Sequence, residues 1–317
     1  MVKVALAGGW GQLGHEVLDA LIARHKHDIL ILSRRDAPTP DLGRGVHTVL
    51  SFLAGPDHQG AASAQQDAQI SLIDASVRAG VKRFAPSEWA SAGFDHMPWY
   101  AFKQSARDHL SNLSKDKKAT SLIPPSPSLF TNYLLHPFQS AKHVRVFEQQ
   151  INFYARRALV ADTECFVTST AVRDVAKVVA LAVEYEGEWP VDGGISGARM
   201  TIEEVIALGE KIRGTHTPSC GPLDVTELRM QDLEAGVVKA PWFPEIDHPA
   251  IPEETQDAVR PVLLAGVLRS LAAGAWESSD TWNRLLPDFE FTQPEDIFTK
   301  GWAAVDAGAE SIPVEDY

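Results

Sequence analysis

The stretch that decides the fold is residues 2–14, VKVALAGGWGQLG, where a short apolar run leads directly into three glycines spaced three apart. A strand inside a parallel sheet is buried on both faces, so it reads as continuous apolar residues. Glycines at this spacing permit a tight turn, a close approach to a pyrophosphate and close packing of the next helix, whereas a purely structural turn is the alternative reading. The predicted cofactor-binding residues of this turn are Gly8, Gly9, Trp10, Gly11, Gln12, Leu13 and Gly14.

A second apolar run, DILILS at residues 28–33, ends in Arg34 and Arg35. An NAD-binding unit normally carries an Asp or Glu here, which holds the ribose 2′-hydroxyl. A guanidinium group instead matches the geometry of a 2′-phosphate and binds it bidentately. Arg34 and Arg35 therefore favour NADP(H) as the cofactor, and the alternative is that both are solvated loop residues.

The composition excludes several classes of function. The chain has 317 residues and is 44% hydrophobic, enough for a main α/β domain and a smaller C-terminal part. Its net charge of −13 disfavours a nucleic-acid surface. No apolar run reaches the ~18 residues of a membrane span, and glycines interrupt any signal-peptide pattern at the start. Cys165 and Cys220 lack metal-ligand spacing, so we expect a cytoplasmic protein with no metal site.

Short apolar strands alternate with helices through the first 133 residues. We predict strands at 48–53, 81–85 and 120–123, and helices at 64–79 and 100–113. This alternation predicts right-handed crossovers and a parallel sheet, with ligands bound beyond the carboxyl ends of the strands. The further cofactor-binding residues predicted there are Phe52, Leu53, Ser87, Phe130 and Asn132.

The C-terminal part is less regular. Periodicity predicts a helix over 172–186 after a cap at Thr170, a capping box at 201–204 that opens a helix to about Arg213, and a last helix pair over 254–275 and 294–307. Its aromatic residues either line a substrate pocket or, as is more common, form plain core. They are Trp242, Phe243, Trp276, Trp282, Phe289, Phe291 and Trp302.

Three motifs together resemble the NmrA-like and isoflavone-reductase-like family of atypical short-chain dehydrogenases: GGWGQLG at 8–14, VKRFAPSEW at 81–89 and LFTNY at 129–133. The chain is most similar to fungal members, through VRDVA at 172–176 and SDTWNRLLP at 279–287. The resemblance covers most of the chain. It implies a Rossmann domain that binds NADP(H) and a smaller substrate domain.

The resemblance also supplies a candidate catalytic lysine. In reductases of this family, a lysine on the helix after the Pro-Ser-Glu loop lies near the nicotinamide and assists proton transfer, and Lys103 matches that position. Desolvation and the positive nicotinamide ring would lower the pKa of such a lysine, although an ordinary solvated lysine is the alternative. Tyr100 is the second catalytic candidate, on about the same helical face. Its spacing to Lys103 is three residues and not the four of classical short-chain dehydrogenases, so packing beside Trp99 is the alternative reading.

The family's pattern is interrupted after the second strand. Only 13 residues, 34–46, lead to the next apolar run, and a βαβ crossover needs at least 10 to 12 residues for its helix and turns alone. We therefore expect the sheet to lack one edge strand and one helix. Natural shortening that opens the adenine side of the pocket is one explanation, and a deletion or an error in the gene model is the other.

The predicted fold class is α/β: a Rossmann-like, doubly wound parallel sheet with a smaller mixed α/β C-terminal substrate domain. The cofactor domain is expected to include residues 1–133 and parts of 160–195, and the substrate part residues 134–159 and 196–317. The predicted function is that of an NADPH-dependent oxidoreductase that reduces a small apolar or aromatic molecule, with no nucleic-acid or membrane partner. The alternative is a non-catalytic NAD(P)-binding redox sensor of the NmrA type, which would require a protein partner. Sugar epimerase chemistry requires the four-residue Tyr-to-Lys spacing that this chain lacks.

Overall fold

The described part of the chain forms three small sheets surrounded by helices. The computed structural model describes residues 1–32, 45–53, 61–115, 127–216, 222–246, 251, 253–314 and 317. The strands are β1 (Lys3–Ala7), β2 (Asp28–Leu32), β3 (Val46–Ser51), β4 (Arg83–Ala85), β5 (Leu129–Phe130), β6 (Ile151–Asn152), β7 (Arg157–Ala161), β8 (Phe166–Thr170), β9 (Ala198–Thr201) and β10 (Asp224–Leu228).

The helices alternate with the strands in the first half of the chain and follow one another in the last third. They are α1 (Gln12–Ala23), α2 (Ala61–Arg78), α3 (Ala101–Lys115), α4 (Val172–Glu184), α5 (Ile202–His216), α6 (Met230–Glu234), α7 (Gln256–Ala272), α8 (Thr281–Leu285) and α9 (Pro294–Asp306). Short 3₁₀ turns cover Pro98–Tyr100, Thr131–Leu135 and Glu253–Thr255. No helix within the described ranges is both long and apolar enough to cross a membrane.

The main sheet is parallel, with strand order β2-β1-β3-β4. A second sheet has the order β5-β8-β9, in which β5 and β8 are parallel and β8 and β9 antiparallel. A third, mixed sheet has the order β10-β7-β6. The predicted α/β class with a parallel sheet is confirmed.

Alternate residues of β1 face two different helical layers. Val4 and Leu6 belong to the core that α1 and α4 cover, whereas Ala5 belongs to the core that α2 and α3 cover. All three are completely buried, as expected for a strand with both faces covered. The sheet is thus doubly wound.

A third core holds the C-terminal part together. Phe298 and Trp302 of α9 pack there with residues of β7 and α5, and Trp302 is completely buried. Trp282 is likewise buried in the first core. These two tryptophans are therefore core residues. The domain boundaries given above remain a prediction.

The helix starts in the second half were predicted with mixed success. The capping box of α5 is confirmed, since Glu204 N donates to Thr201 Oγ1 at 3.0 Å and Thr201 N donates to Glu204 Oε2 at 2.8 Å. The cap at Thr170 is wrong. Thr170 ends β8, and its hydroxyl donates to the Pro127 carbonyl at 3.2 Å, while Val172 N donates to Asn132 Oδ1 at 2.9 Å.

Strand β2 is the outermost strand of the main sheet among the described residues. It pairs with β1 on one side, and β3 pairs with β1 on the other. Residues 33–44 and the predicted strand at 120–123 lie outside the described residues, and so do Arg34 and Arg35.

Candidate functional site

The glycine turn lies where β1 ends, and its backbone is packed too tightly for side chains. Gly8 has a φ of +79°, in the left-handed region, and a Cβ there would lie 2.8 Å from the Phe52 carbonyl oxygen. A Cβ on Gly14 would lie only 2.4 Å from the Gly8 carbonyl oxygen. Gly11 N closes the turn by donating to that same oxygen at 2.9 Å. The spacing of three thus has the steric cause expected of a dinucleotide turn.

Helix α1 begins from this turn with an open N-terminus. Gly11 is its N-cap residue, and no side chain there accepts a hydrogen bond from the first-turn amides. Such amides, together with the positive end of the helix dipole, favour an anion. Trp10 is 66% exposed beside them and meets the His15 ring edge-on at 5.4 Å. The Gln12 side chain accepts from Arg145 N at 3.1 Å, which leaves its own amide group for a ligand.

Phe52, whose backbone lies against the glycine turn, packs on Trp89 of the loop after β4. Their rings stack with centroids 4.7 Å apart, and Trp89 Nε1 donates to the Ser51 carbonyl at 2.7 Å. Phe52 N donates to the Ala7 carbonyl at 2.7 Å, which holds the end of β3 against the end of β1. Leu53 follows and is half-buried.

Lys103 is buried and anchored to the loop after β4. Its side chain lies on the first turn of α3, is only 8% exposed, and donates from Nζ to the Ser87 carbonyl at 2.7 Å. The solvated-lysine alternative is therefore wrong. Burial lowers the pKa of Lys103 to about 8, with a further lowering by Arg107 and an opposing effect of Glu88. A lysine with this pKa can release or take up a proton near neutral pH.

Tyr100 lies beside Lys103 but is a weak acid. The Lys103 ammonium is 5.0 Å from the centre of the Tyr100 ring. Tyr100 ends the 3₁₀ turn before α3 and also meets the Trp99 ring at 6.1 Å, so the packing contact with Trp99 is present. Burial raises the pKa of the Tyr100 phenol to about 12. Tyr100 therefore stays protonated and can donate a hydrogen bond, but it releases a proton less readily than Lys103.

Phe130 ends β5, Asn132 follows it, and the two residues have different surroundings. Phe130 is buried and meets the ring of Tyr133 at 5.4 Å. The Asn132 amide is fully used inside the protein: Nδ2 donates to the Ser140 carbonyl at 2.6 Å, and Oδ1 accepts from Val172 N. A cofactor role for Asn132 would therefore depend on its backbone.

Three further residues near Lys103 were not predicted from the sequence. Glu88 follows Ser87 and is completely buried, and its Oε2 accepts from Arg107 Nε at 2.5 Å. Tyr133 stacks at a tilt on Phe147, with centroids 4.3 Å apart. A sequence signal exists for Arg107, since it lies four residues after Lys103 and so on the same face of α3.

A separate cluster near α1 has metal-ligating residue types. Ligand atoms of His15, Asp19 and His143 lie within 4.8 Å of one another. The two imidazole rings, however, are stacked at 3.7 Å with only 7° between their planes, so their lone pairs run parallel and do not converge. Asp19 also accepts from the Lys142 ammonium at 2.8 Å. This arrangement fits an ion-pair network better than a metal site.

Comparison with known proteins agrees with this geometry. No protein-family model matches the chain. The oxidoreductase BOA1 of Botryotinia fuckeliana (strain B05.10) is 27% identical over 255 residues, an alignment that covers 70% of this chain and 79% of that protein. Two solved structures are similar over nearly the whole chain. They are leucoanthocyanidin reductase of Vitis vinifera in complex with NADPH (TM-score 0.61, 17% identity, 95% and 99% of the two chains covered) and an isoflavone reductase (0.62, 15%, 93% and 98%).

The likeness to these structures extends through both halves of the chain, and their sequences differ greatly from it. The resemblance predicted from the three motifs is therefore confirmed at the level of the fold: this chain has the Rossmann-like fold of the isoflavone-reductase-like proteins.

Proposed function

We propose that the chain is an NADP(H)-dependent reductase of a small apolar or aromatic molecule. The observation that carries the proposal is the position of Lys103, buried against the Ser87 carbonyl at the same edge of the sheet as the glycine turn. The bound NADPH in the leucoanthocyanidin reductase of Vitis vinifera and the name of the Botryotinia relative support the same chemistry.

The residues present fit a dinucleotide. Four of the seven residues at 8–14 are glycines, and the N-cap residue Gly11 has no side chain to bond the first-turn amides of α1. These amides would hold the pyrophosphate. Phe52 would lie along the cofactor beside the turn, and Ser87 and Phe130 would lie near its nicotinamide end. Arg34 and Arg35 would bind the 2′-phosphate.

In this mechanism NADPH, when bound, supplies a hydride to a carbon of the substrate. Lys103 holds a proton at Nζ and gives it to the substrate atom that gains negative charge, directly or through a water molecule. The neutral amine then takes a proton back from solvent. Because the pKa of Lys103 is about 8, most of the enzyme carries this proton at neutral pH.

The aromatic lining supports an apolar or aromatic substrate. Phe147 is 41% exposed although its ring contacts Tyr133, whose pKa is raised by burial and, to a smaller extent, by the nearby Tyr100 phenol. Partly exposed aromatic rings beside a buried lysine suit a flat, apolar molecule with one oxygen atom to protonate.

The test is NADPH oxidation in the presence of enones, quinone methides and aromatic ketones. We expect Lys103→Met to lower kcat by about 10²- to 10⁴-fold on any substrate that is turned over. The matched control is Lys300→Met, which replaces an exposed lysine of α9 and should leave kcat unchanged. Full activity of Lys103→Met would contradict the proposed role. Binding of oxidised and reduced cofactor with equal affinity, and turnover of none of these compounds, would favour a redox sensor instead.

A further inference from the structure

The loop after β4 and the first turns of α3 are joined by a buried ion pair next to Lys103. Glu88 is completely buried, and its carboxylate accepts from Arg107 Nε at 2.5 Å. Arg107 also donates from Nη1 to the Ala92 carbonyl at 3.0 Å, and its guanidinium lies 4.0 Å above the Phe94 ring. These contacts hold Arg107 rigidly to the loop.

The same loop carries the carbonyl that binds Lys103. Glu88 N donates to the Pro86 carbonyl at 2.9 Å, and Ala90 N donates to the Glu88 carbonyl at 2.8 Å, so successive tight turns fix the backbone at Ser87. Lys103 and Arg107 are one helical turn apart on α3. The ion pair between Glu88 and Arg107 therefore fixes the distance between α3 and the Ser87 carbonyl oxygen, which accepts the hydrogen bond from Lys103 Nζ.

One carboxylate oxygen of this ion pair lacks a hydrogen bond, which costs free energy of folding. Glu88 Oε1 is buried and finds no hydrogen-bond donor among the residues that the structure describes. A buried carboxylate normally uses both oxygens, because an unsatisfied charged atom in the protein interior costs free energy. The negative charge of the Glu88 carboxylate therefore acts on the nearby Lys103 ammonium electrostatically.

We propose that Glu88 and Arg107 are positioning residues for Lys103, which hold Nζ against the Ser87 carbonyl and balance the charge around it. This inference rests on the proposed function, in which Lys103 carries the transferred proton. The carboxylate favours the ammonium form of Lys103, and the guanidinium favours the neutral amine. Among the described residues, the other titratable group that faces Lys103 is Tyr100, from the turn before α3, and its phenol is neutral at these pH values.

The pair predicts opposite effects of two substitutions. Glu88→Gln keeps the volume and a hydrogen bond to Arg107 but removes the negative charge, so the pKa of Lys103 should fall. Arg107→Gln removes the positive charge, so the pKa of Lys103 should rise. We expect shifts of about 1 pH unit in opposite directions, since charges within a few ångströms shift a pKa by that order.

The measurement is the titration of the Lys103 side chain by its carbon-13 Cε resonance in lysine-labelled protein, assigned by comparison with Lys103→Arg. This readout does not require turnover, so it stands even if no substrate is reduced. The midpoint of the pH profile of kcat is the second readout and should shift in the same directions. A profile of kcat that does not follow the Lys103 titration would contradict the proposed function and leave the titration result standing.

Control variants separate field effects from damage to the fold. Arg107→Lys keeps the charge and should leave the Lys103 midpoint within a few tenths of a pH unit, even where stability falls. Glu184→Gln removes a carboxylate paired with Arg24 next to His27, at the opposite edge of the sheet, and should leave the midpoint unchanged. Folded Glu88→Gln and Arg107→Gln proteins that shift the midpoint in the same direction, or not at all, would overturn the proposal. If Glu88→Gln or Arg107→Gln does not fold, a shifted midpoint in Arg107→Lys would overturn it.

Discussion

At the scale of a single residue, Lys103 is buried on the first turn of α3, and its Nζ donates to the Ser87 carbonyl at 2.7 Å. The family motif placed a lysine on the helix after the Pro-Ser-Glu loop, but its burial and its bond to the Ser87 carbonyl depend on how that loop folds back on α3. Glu88 and Arg107 were missed because an ion pair between residues 19 positions apart has no local sequence pattern. The four-residue spacing of Lys103 and Arg107 indicated that they share a face of α3, but it did not indicate that Arg107 pairs with Glu88.

The pKa of Lys103 leads to a prediction for the pH dependence of the reaction. In the proposed mechanism Lys103 must be protonated to give a proton during reduction, and burial lowers its pKa to about 8. The kcat for reduction should therefore be level below that pH and fall tenfold per unit above it. Stopped-flow measurement of NADPH oxidation as a function of pH checks this prediction. A kcat that stays level well above pH 8 would show that another group supplies the proton.

Gly14 provides a steric prediction at the same scale. In Gly14→Ala the new Cβ would lie 2.4 Å from the Gly8 carbonyl oxygen, so the turn must open. We expect a loss of about 1–3 kcal/mol in the free energy of unfolding and no added stability from NADPH. Gly209→Ala is a suitable control, because its Cβ would clash at 2.0 Å with the Phe153 ring in the C-terminal core. That variant should lose stability but retain the full increment from NADPH.

Among the elements, β1 and α1 were predictable because burial on both faces and the glycine spacing are local properties of the sequence. The start of α4 was not, since Asn132, 40 residues away, caps it in place of Thr170. The capping box of α5 was recognised because both of its partners lie within four residues of each other. Elements stabilised by their own residues can thus be predicted from the sequence, whereas those completed by distant side chains cannot.

Helices α1 and α4 are joined at their ends by an ion pair with a testable pH dependence. Arg24 donates to both carboxylate oxygens of Glu184 at 2.7 Å. The hydrogen bond from Arg24 is the main cause of the low pKa of Glu184, which is about 2 compared with the ordinary 4.5. A carboxyl group whose pKa is lowered in the folded state stabilises it above the unfolded pKa, and this contribution disappears as the pH falls through the folded value.

Glu184→Gln should therefore lower the free energy of unfolding by about 1 kcal/mol at neutral pH, the upper range for a partly exposed pair. The difference from the unsubstituted protein should shrink as the pH falls from about 4.5 towards 2. Urea unfolding followed by circular dichroism at several pH values measures this difference. A difference that is independent of pH would mean that the carboxylate charge is not what stabilises the pair.

For the whole molecule, the fold class was predictable because strand and helix alternation is carried along the first 133 residues. The prediction that the short connection after β2 leaves no room for a further strand and helix falls on residues 33–44, outside the described residues. Among the residues that are described, β2 is an edge strand of its sheet. The packing of α7 and α9 with β7 in a separate core was not foreseen, because these elements meet only in three dimensions.

The short connection after β2 lies on the adenine side of the proposed cofactor site, so the affinity of the protein for NADPH has to be measured. If the adenine side still binds, NADPH at 100 times its dissociation constant should raise the free energy of unfolding by about 2.7 kcal/mol. NADH at the same concentration should give a smaller increment, because Arg34 and Arg35 would lack a 2′-phosphate to bind. Thermal unfolding with each nucleotide measures both. Equal increments would contradict the assigned preference, and no increment at millimolar NADPH would contradict a working site.

The most direct test of the central claim, that the glycine turn and Lys103 belong to one NADPH site, is a crystal structure of the protein with NADPH. We expect the pyrophosphate over the amides at the start of α1 and the nicotinamide beside Ser87 and Lys103. A nucleotide bound elsewhere, or a nicotinamide that is remote from Lys103, would contradict the claim.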